Sequence, residues 1–271
     1  MTRCCTANCA VKAMKPWVNA ELLGRATLVD EPGSSARVLN LLAGFNSADN
    51  AESAVGQFHD ALELIGADAG VFLSAISDDA ARTSYRSLLA CDPVWAIEYA
   101  RLGWHEHDPW LRHALHNEDP VRDTELKLLP REHEFVQTAA KYGFASAMVV
   151  PAPSSAGTSR VGVLCLGSNR PGFFDGDAYP RVRIVATMLA MELHRWMRRA
   201  ACKELLAKAR IRPEDIDLLW HEQAGHTSKV IAKAMNVPPQ TVDTRFHRLC
   251  MRLDVPDRRS AARVARLYGL L

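Results

Sequence analysis

No apolar run in this sequence approaches the ~20 residues that a membrane-crossing helix needs. The longest, such as residues 184–191, are short and interrupted by Thr187. No membrane partner is expected. The opening segment MTRCCTANCAVKAMKPW has basic residues but lacks a continuous apolar stretch and a small-residue cleavage site, so it does not read as a secretory signal. A cytoplasmic location is the expectation. Cysteine is sparse and irregular: of seven residues, Cys4, Cys5 and Cys9 lie near the start, and Cys91, Cys165, Cys202 and Cys250 are scattered. An odd number, with no second CxxC and no His pair at finger spacing, points to reduced thiols rather than a disulfide framework or a structural metal. A serine nucleophile elbow and a Gly-rich phosphate loop are also missing.

What is present is ordinary in total and uneven in distribution. At roughly 150 residues per domain, 271 residues suggest two domains. Hydrophobic residues at 48% and charged residues at 24% exclude collagen-like, coiled-coil and wholly disordered chains. The net charge of +2 hides a segregation: residues 197–271 hold 15 Lys and Arg against 8 Asp and Glu, or +7, leaving 18 against 23, or −5, for residues 1–196. A basic C-terminal quarter on an acidic body suggests that the small end faces a polyanion.

Residues 1–35, which include Glu31-Pro32-Gly33-Ser34-Ser35, show little periodicity and are expected to form a loosely ordered extension. Ser47 is placed to cap a helix to Ile65, with Ala54, Phe58, Leu62 and Ile65 on one face and Gly66 as its stop. Strands are expected at 71–76, 85–90, 146–151 and 160–167, and helices at 93–102, 109–116 and 130–142, each helix opening near a proline. Helices set in the middle of an antiparallel sheet imply an α+β fold, an α/β/α sandwich occupying residues 36–200. An amphipathic helix from 177 to about 199 carries Val182, Val185, Leu189, Leu193 and Trp196 on one side and Ile184, Met188 and Met191 on the other. Packing on its own sheet, a dimer seam, or both would account for it.

After a linker at 201–210, residues 211–271 read as an all-α, four-helix domain. One helix spans 213–222, with Ile216 and Leu219 apolar, and breaks at Gly225; Thr227 is placed to cap a second at 228–235, with Ile231 and Met235 inward. Asn236-Val237-Pro238-Pro239 forms the turn to a third at 239–252, whose inner stripe is Val242, Phe246, Leu249 and Leu253. The opposite face presents Gln240, Thr241, Thr244, Arg245, Arg248 and Arg252. Base edges are read by short polar or Arg side chains while cations hold phosphates, so this face fits the recognition helix of a helix-turn-helix, with Lys229 as a phosphate clamp. A merely solvated face is the plain alternative, but charge segregation, turn spacing and face composition agree on DNA.

The stretch GHTSKVIAKAMNVPPQTVDTRFHRLCMRLDVPDRRSAARVARLYGLL resembles the C-terminal DNA-binding domain of LuxR-type transcription regulators, with Gly225, Thr227, Ser228, Ile231, Ala232, Val237, Thr241, Val242, Leu253, Val255, Arg258 and Ala261 where that family's pattern puts them. The chain departs from the pattern at Pro213-Glu214-Asp215-Ile216, at Val230, at Asp243 in place of Lys and at Arg245 in place of His. Trp95, Tyr99, Asp108 and Pro109 (W-x3-Y-x8-DP), with REHEFVQTAAKYGFASAMVVP and GVLCLG, resemble the acyl-homoserine-lactone-binding domain of the quorum-sensing members. The resemblance implies that the Trp95 indole donates to a lactone carbonyl, that Asp108 accepts from the amide N–H and that Tyr99 lines the pocket. Buried polar groups need partners, so such a pair would orient a mostly apolar ligand. Four positions depart: Asp123 stands where relatives place a second Trp, Ala147 replaces Gly, Cys91 replaces Tyr and Gly167 replaces Ser or Thr. The two lost hydroxyls would cost a standard ligand about 1–3 kcal/mol, while Trp110 could refill part of the aromatic wall.

These readings imply a homodimeric transcription regulator that binds a near-palindromic double-stranded operator under control of an acyl-homoserine lactone, an atypical relative or another small amphiphile, with no other cofactor. A ligand-insensitive regulator or antiactivator is the alternative. An enzyme is not expected: His105-Glu106-His107-Asp108, with His113 and His116, superficially resembles the HxHxDH metal motif of lactonases, but Asp108 follows His107 directly, no His follows it, and Pro109 opens a helix.

Overall fold

The computed structural model describes residues 34–79 and 82–271. The expected extension, with Cys4, Cys5 and Cys9, lies outside the described residues except for Ser34 and Ser35, which open a helix. The chain divides into two compact units, the first ending at Trp196 and the second beginning at Met197, with the segment Ile76–Thr83 counted with the second. Among the described residues, no helix is long and apolar enough to cross a membrane.

The first unit starts with α1 (Ser34–Gly44) and α2 (Ala51–Ile65). Asn50, not Ser47, caps α2: its side chain accepts from the Ser53 N–H at 2.9 Å. Ser47 sits in the turn closing α1, where its hydroxyl donates to the Gly44 carbonyl. Gly66 ends α2 as expected, with φ at 79°. A five-stranded sheet follows, in the order β2-β1-β5-β4-β3, from β1 (Ala69–Asp79), β2 (Arg82–Ala90), β3 (Val121–Arg122), β4 (Ser146–Ala152) and β5 (Arg160–Ser168). β3 has only two residues, too few to show alternation, and was not legible in the sequence. Between β2 and β4 lie α3 (Pro93–Arg101), α4 (Pro109–His116) and α5 (Pro130–Ala139), each with proline in its first turn, where the missing N–H is no loss.

Alternation along the strands covers both faces of the sheet. On β4 and β5, which pair antiparallel, Ala147, Val149, Val161, Val163 and Cys165 join a core with residues of α3, α4 and α5. The other face meets α2 and the long helix α6 (Tyr179–Lys208). A Cβ on Gly162 would lie 2.7 Å from His194, and one on Gly70 would lie 2.7 Å from Phe58. This is the expected layering of sheet between helices. Val182, Leu189, Leu193 and Trp196 are buried while Ile184 and Met188 face outward. α6 continues to Lys208, so residues 201–208, expected to be linker, are helical because no Gly or Pro interrupts them.

The second unit packs α7 (Pro213–Gln223), α8 (Ser228–Ala234), α9 (Pro239–Leu253) and α10 (Arg258–Tyr268) around Leu218, Leu219, Ile231, Val242, Phe246, Leu249, Ala261 and Ala265. Gly225 takes φ 75° at the break after α7, and Asn236 takes φ 52° in the α8–α9 turn. Thr227 holds the cap position of α8, but its side chain makes no capping bond.

Gly167 is required by this packing. A Cβ there would stand 2.4 Å from the Gly143 carbonyl oxygen and 2.4 Å from the Phe144 ring. Gly167→Ser is therefore expected to lower stability by about 1–3 kcal/mol through overpacking, read as an earlier urea midpoint at unchanged slope. An unchanged midpoint would refute the close approach.

Candidate functional site

Seven aromatic residues from four segments converge on the α3–α5 face of the sheet. Phe135 of α5 is fully buried at the centre, with Trp95, Tyr99, Trp104 and Trp110 edge-on to it at centroid distances of 5.6, 6.3, 5.6 and 4.9 Å. Tyr142 and Phe144 close the box against Trp95 at 5.6 and 6.2 Å. Edge-to-face contact is the favoured geometry for such rings.

Into this apolar box the chain places one carboxylate. Asp108 is buried because it caps α4: Oδ1 accepts from the backbone N–H groups of Trp110 at 2.8 Å and Leu111 at 3.0 Å. Its Oδ2 accepts from the Tyr99 hydroxyl at 2.8 Å. Burial raises the carboxyl from 3.8 to about 6, against the opposing bonds from Leu111, Tyr99 and Trp110. Burial, and then the Asp108 charge, push the Tyr99 phenol and the Cys165 thiol well above their ordinary values, so both remain protonated. Below the box, Arg112 grips Glu132 through two bonds of 2.6 and 2.8 Å, tying α4 to α5. A groove of about 240 Å³ opens beside Asp108, lined among others by His105, His107, Leu115 and Arg131.

The expected pocket residues are thus brought together unequally. Trp95, Tyr99, Asp108 and Trp110 share the box, and Cys91 and Ala147 are buried in the same core. Gly167 lies opposite Ala147 in the β4–β5 register, and the half-buried Asp123 takes a backbone hydrogen bond from Ala147. Gly167 needs a different reading from the one the sequence suggested. With the Gly143 carbonyl and Phe144 against it, the position has no room for a hydroxyl-bearing side chain. Phe135 and Trp104 were missed, because only folding brings their segments to Trp95. The histidines disperse: His107 meets Arg131 at 3.1 Å, His113 bonds the Asp119 carbonyl and His116 the Arg112 carbonyl. Among the described residues, no group of three or more His, Cys, Asp or Glu could hold a metal.

Residues 50–196 match the family model described as the autoinducer binding domain. The chain belongs to the autoinducer-binding-domain family. Among solved structures, SdiA in complex with octanoyl-rac-glycerol is similar with a TM-score of 0.68 at 14% identity, over 89% of this chain and 97% of that one. A crystal structure of Escherichia coli SdiA gives a TM-score of 0.63 at 15% identity, over 87% and 98%. At that identity the likeness is one of fold. No curated protein matches the chain.

Beyond the autoinducer-binding domain, α9 turns outward most of the polar residues expected to face DNA. Gln240, Thr244 and Arg248 are exposed, Thr241 and Arg245 half-exposed, and Lys229 is exposed on α8. The Thr244 hydroxyl donates back to the Gln240 carbonyl at 2.8 Å. Arg252 departs from the expectation. Its guanidinium donates to Asp215 Oδ2 and to the Arg210 carbonyl, both at 2.7 Å, so it serves its own unit. Asp243, read from sequence as a lost cation, accepts from the Ser228 hydroxyl at 2.7 Å.

Two consequences are measurable. An unfolded Asp titrates near 3.9 and Asp108 near 6, so the folded autoinducer-binding domain holds the extra proton between these values. Its contribution to stability falls as pH rises through that window, by about 3 kcal/mol. Asp108→Asn removes this component, so urea unfolding should show the variant gaining on wild type between about pH 4 and about pH 7. A difference independent of pH would contradict the buried carboxylate. Arg252→Ala should cost the second unit about 1–2 kcal/mol by removing one of two donors to Asp215 Oδ2, the other being the Arg212 N–H, whereas Arg248→Ala should leave thermal unfolding unchanged.

Proposed function

We propose that the chain is a LuxR-type transcription regulator whose autoinducer-binding domain holds a small amphiphile and whose second unit is a helix-turn-helix that binds DNA as a homodimer. The amphiphile is an acyl-homoserine lactone or an atypical relative, and the SdiA complex with octanoyl-rac-glycerol supports widening the class to acyl esters. The protein acts by binding, not by catalysis. The observation that carries the reading is Asp108: a carboxylate held in an aromatic box within the matched domain, whose Oδ2 bonds Tyr99 and retains capacity to accept an N–H or O–H. Trp95, Tyr99 and Trp110 line the apolar part, and Cys91, Asp123, Ala147 and Gly167 shape its edge.

In the second unit, α8 and α9 would dock on DNA with Gln240, Thr241, Thr244 and Arg245 toward base edges and Lys229 and Arg248 toward phosphates. Two copies would read half-sites about 34 Å apart on a near-palindrome. Ligand binding to the folded sensor would stabilise it by mass action and shift the population competent for DNA. A second reading, a ligand-insensitive regulator or antiactivator, is favoured by the close packing of Phe135 among the rings.

Native mass spectrometry of protein produced with N-octanoyl homoserine lactone or 1-octanoylglycerol separates the readings. A retained molecule together with a raised melting temperature is expected. Soluble, dimeric, ligand-free protein of unchanged melting temperature would favour the insensitive regulator. On DNA, Arg248→Ala should weaken binding across sequences and lower the salt slope by about 1; an unchanged slope would remove Arg248 from the interface.

A further inference from the structure

Two indole N–H groups in the aromatic box have no acceptor. Trp104 and Trp110 are each 3% exposed, and Nε1 of both is buried without a hydrogen-bond partner. Indole is a donor only, so no change of tautomer relieves it. Leaving such a donor unpaired disfavours the state that does so by about tenfold or more, and here two stand together. They flank Asp108. Trp104 opens the short 3-10 turn before it, following Gly103 in the left-handed region at φ 64°. Trp110 lies in the first turn of α4, with its backbone N–H bonded to Asp108 Oδ1. Neither backbone is free to swing away, since the Trp104 carbonyl also accepts from the His107 N–H at 2.8 Å.

Both rings stand against the same neighbour. Phe135 meets Trp104 at an interplanar angle of 90° and Trp110 at 87°. A ring face offers an N–H at most a weak contact, which a ligand oxygen would improve on. The box therefore carries two unused donors near one carboxylate with spare acceptor capacity.

We propose that Trp104 and Trp110 form a paired donor site for the ligand's head group, so that the box selects amphiphiles with at least two acceptor oxygens and an N–H or O–H for Asp108. This rests on the ligand-binding reading of the autoinducer-binding domain and names what that site chooses. A single oxygen has two lone pairs, so it serves both indoles only where it reaches both while also donating to Asp108, a demand that two separate oxygens relieve.

The test follows the indole N–H resonances of the full chain, assigned by Trp104→Phe and Trp110→Phe, during titration with 1-octanoylglycerol, N-octanoyl homoserine lactone and, as the single-oxygen control, 1-octanol. Both resonances should move downfield with at least one of the first two and not together with octanol, and each variant should weaken that amphiphile about tenfold. Binding by wild type with both resonances unmoved would overturn this assignment and leave the ligand-binding reading standing. Failure of wild type to bind either two-oxygen amphiphile would overturn that reading and the assignment with it. The wild-type titration decides the matter even where a variant folds poorly.

Discussion

A carboxylate can stand among aromatic rings only where donors hold it, and Asp108 collects three: two backbone N–H groups at the head of α4 and the Tyr99 hydroxyl. That requirement orders much of the first unit. Pro109 starts α4 where the cap must be, α3 delivers Trp95 and Tyr99 one turn apart, and the Arg112–Glu132 pair holds α5 so that Phe135 enters the centre. With its carboxyl at about 6, Asp108 is mostly ionised at neutral pH, yet its charge is costly enough that a ligand donor would be welcome.

Around that charge the box is tight rather than roomy. Gly167 lets β5 approach the Gly143 carbonyl and Phe144, and Phe144 in turn packs on Trp110 at 5.2 Å. Cys91 and Ala147 are buried in the same core as these rings, and Asp123 takes a backbone hydrogen bond from Ala147. Two indoles of this core, Trp104 and Trp110, bury Nε1 without a hydrogen-bond partner.

Elements whose signals are local were legible in the sequence. Helices opening at Pro93, Pro109 and Pro130 and the stop at Gly66 depend on one or two backbone positions. The α2 cap was misplaced because Ser47 and Asn50 are both good caps, and only the chain's path decides between them. Trp95, Tyr99 and Asp108 were visible through their resemblance to a family pattern, whereas Phe135 and Trp104 were not, since their part in the box comes from packing that only the fold creates. Arg252 shows the limit of periodicity. Helical spacing gives the direction of its Cβ, but the long side chain bends back to Asp215.

The second unit repeats that lesson in charge. The exposed face of α9 carries one carboxylate, Asp243, which is engaged by Ser228, itself accepting from Arg258 at 3.2 Å. The most direct measurement of the central claim returns to the first unit: hydrogen exchange of the full chain with and without saturating 1-octanoylglycerol or N-octanoyl homoserine lactone. Slower exchange concentrated in α3, α4 and α5, which carry Trp95, Tyr99, Trp110 and Phe135, is the expected result. Equal exchange in those helices at saturation with both amphiphiles would contradict a ligand-holding box at Asp108.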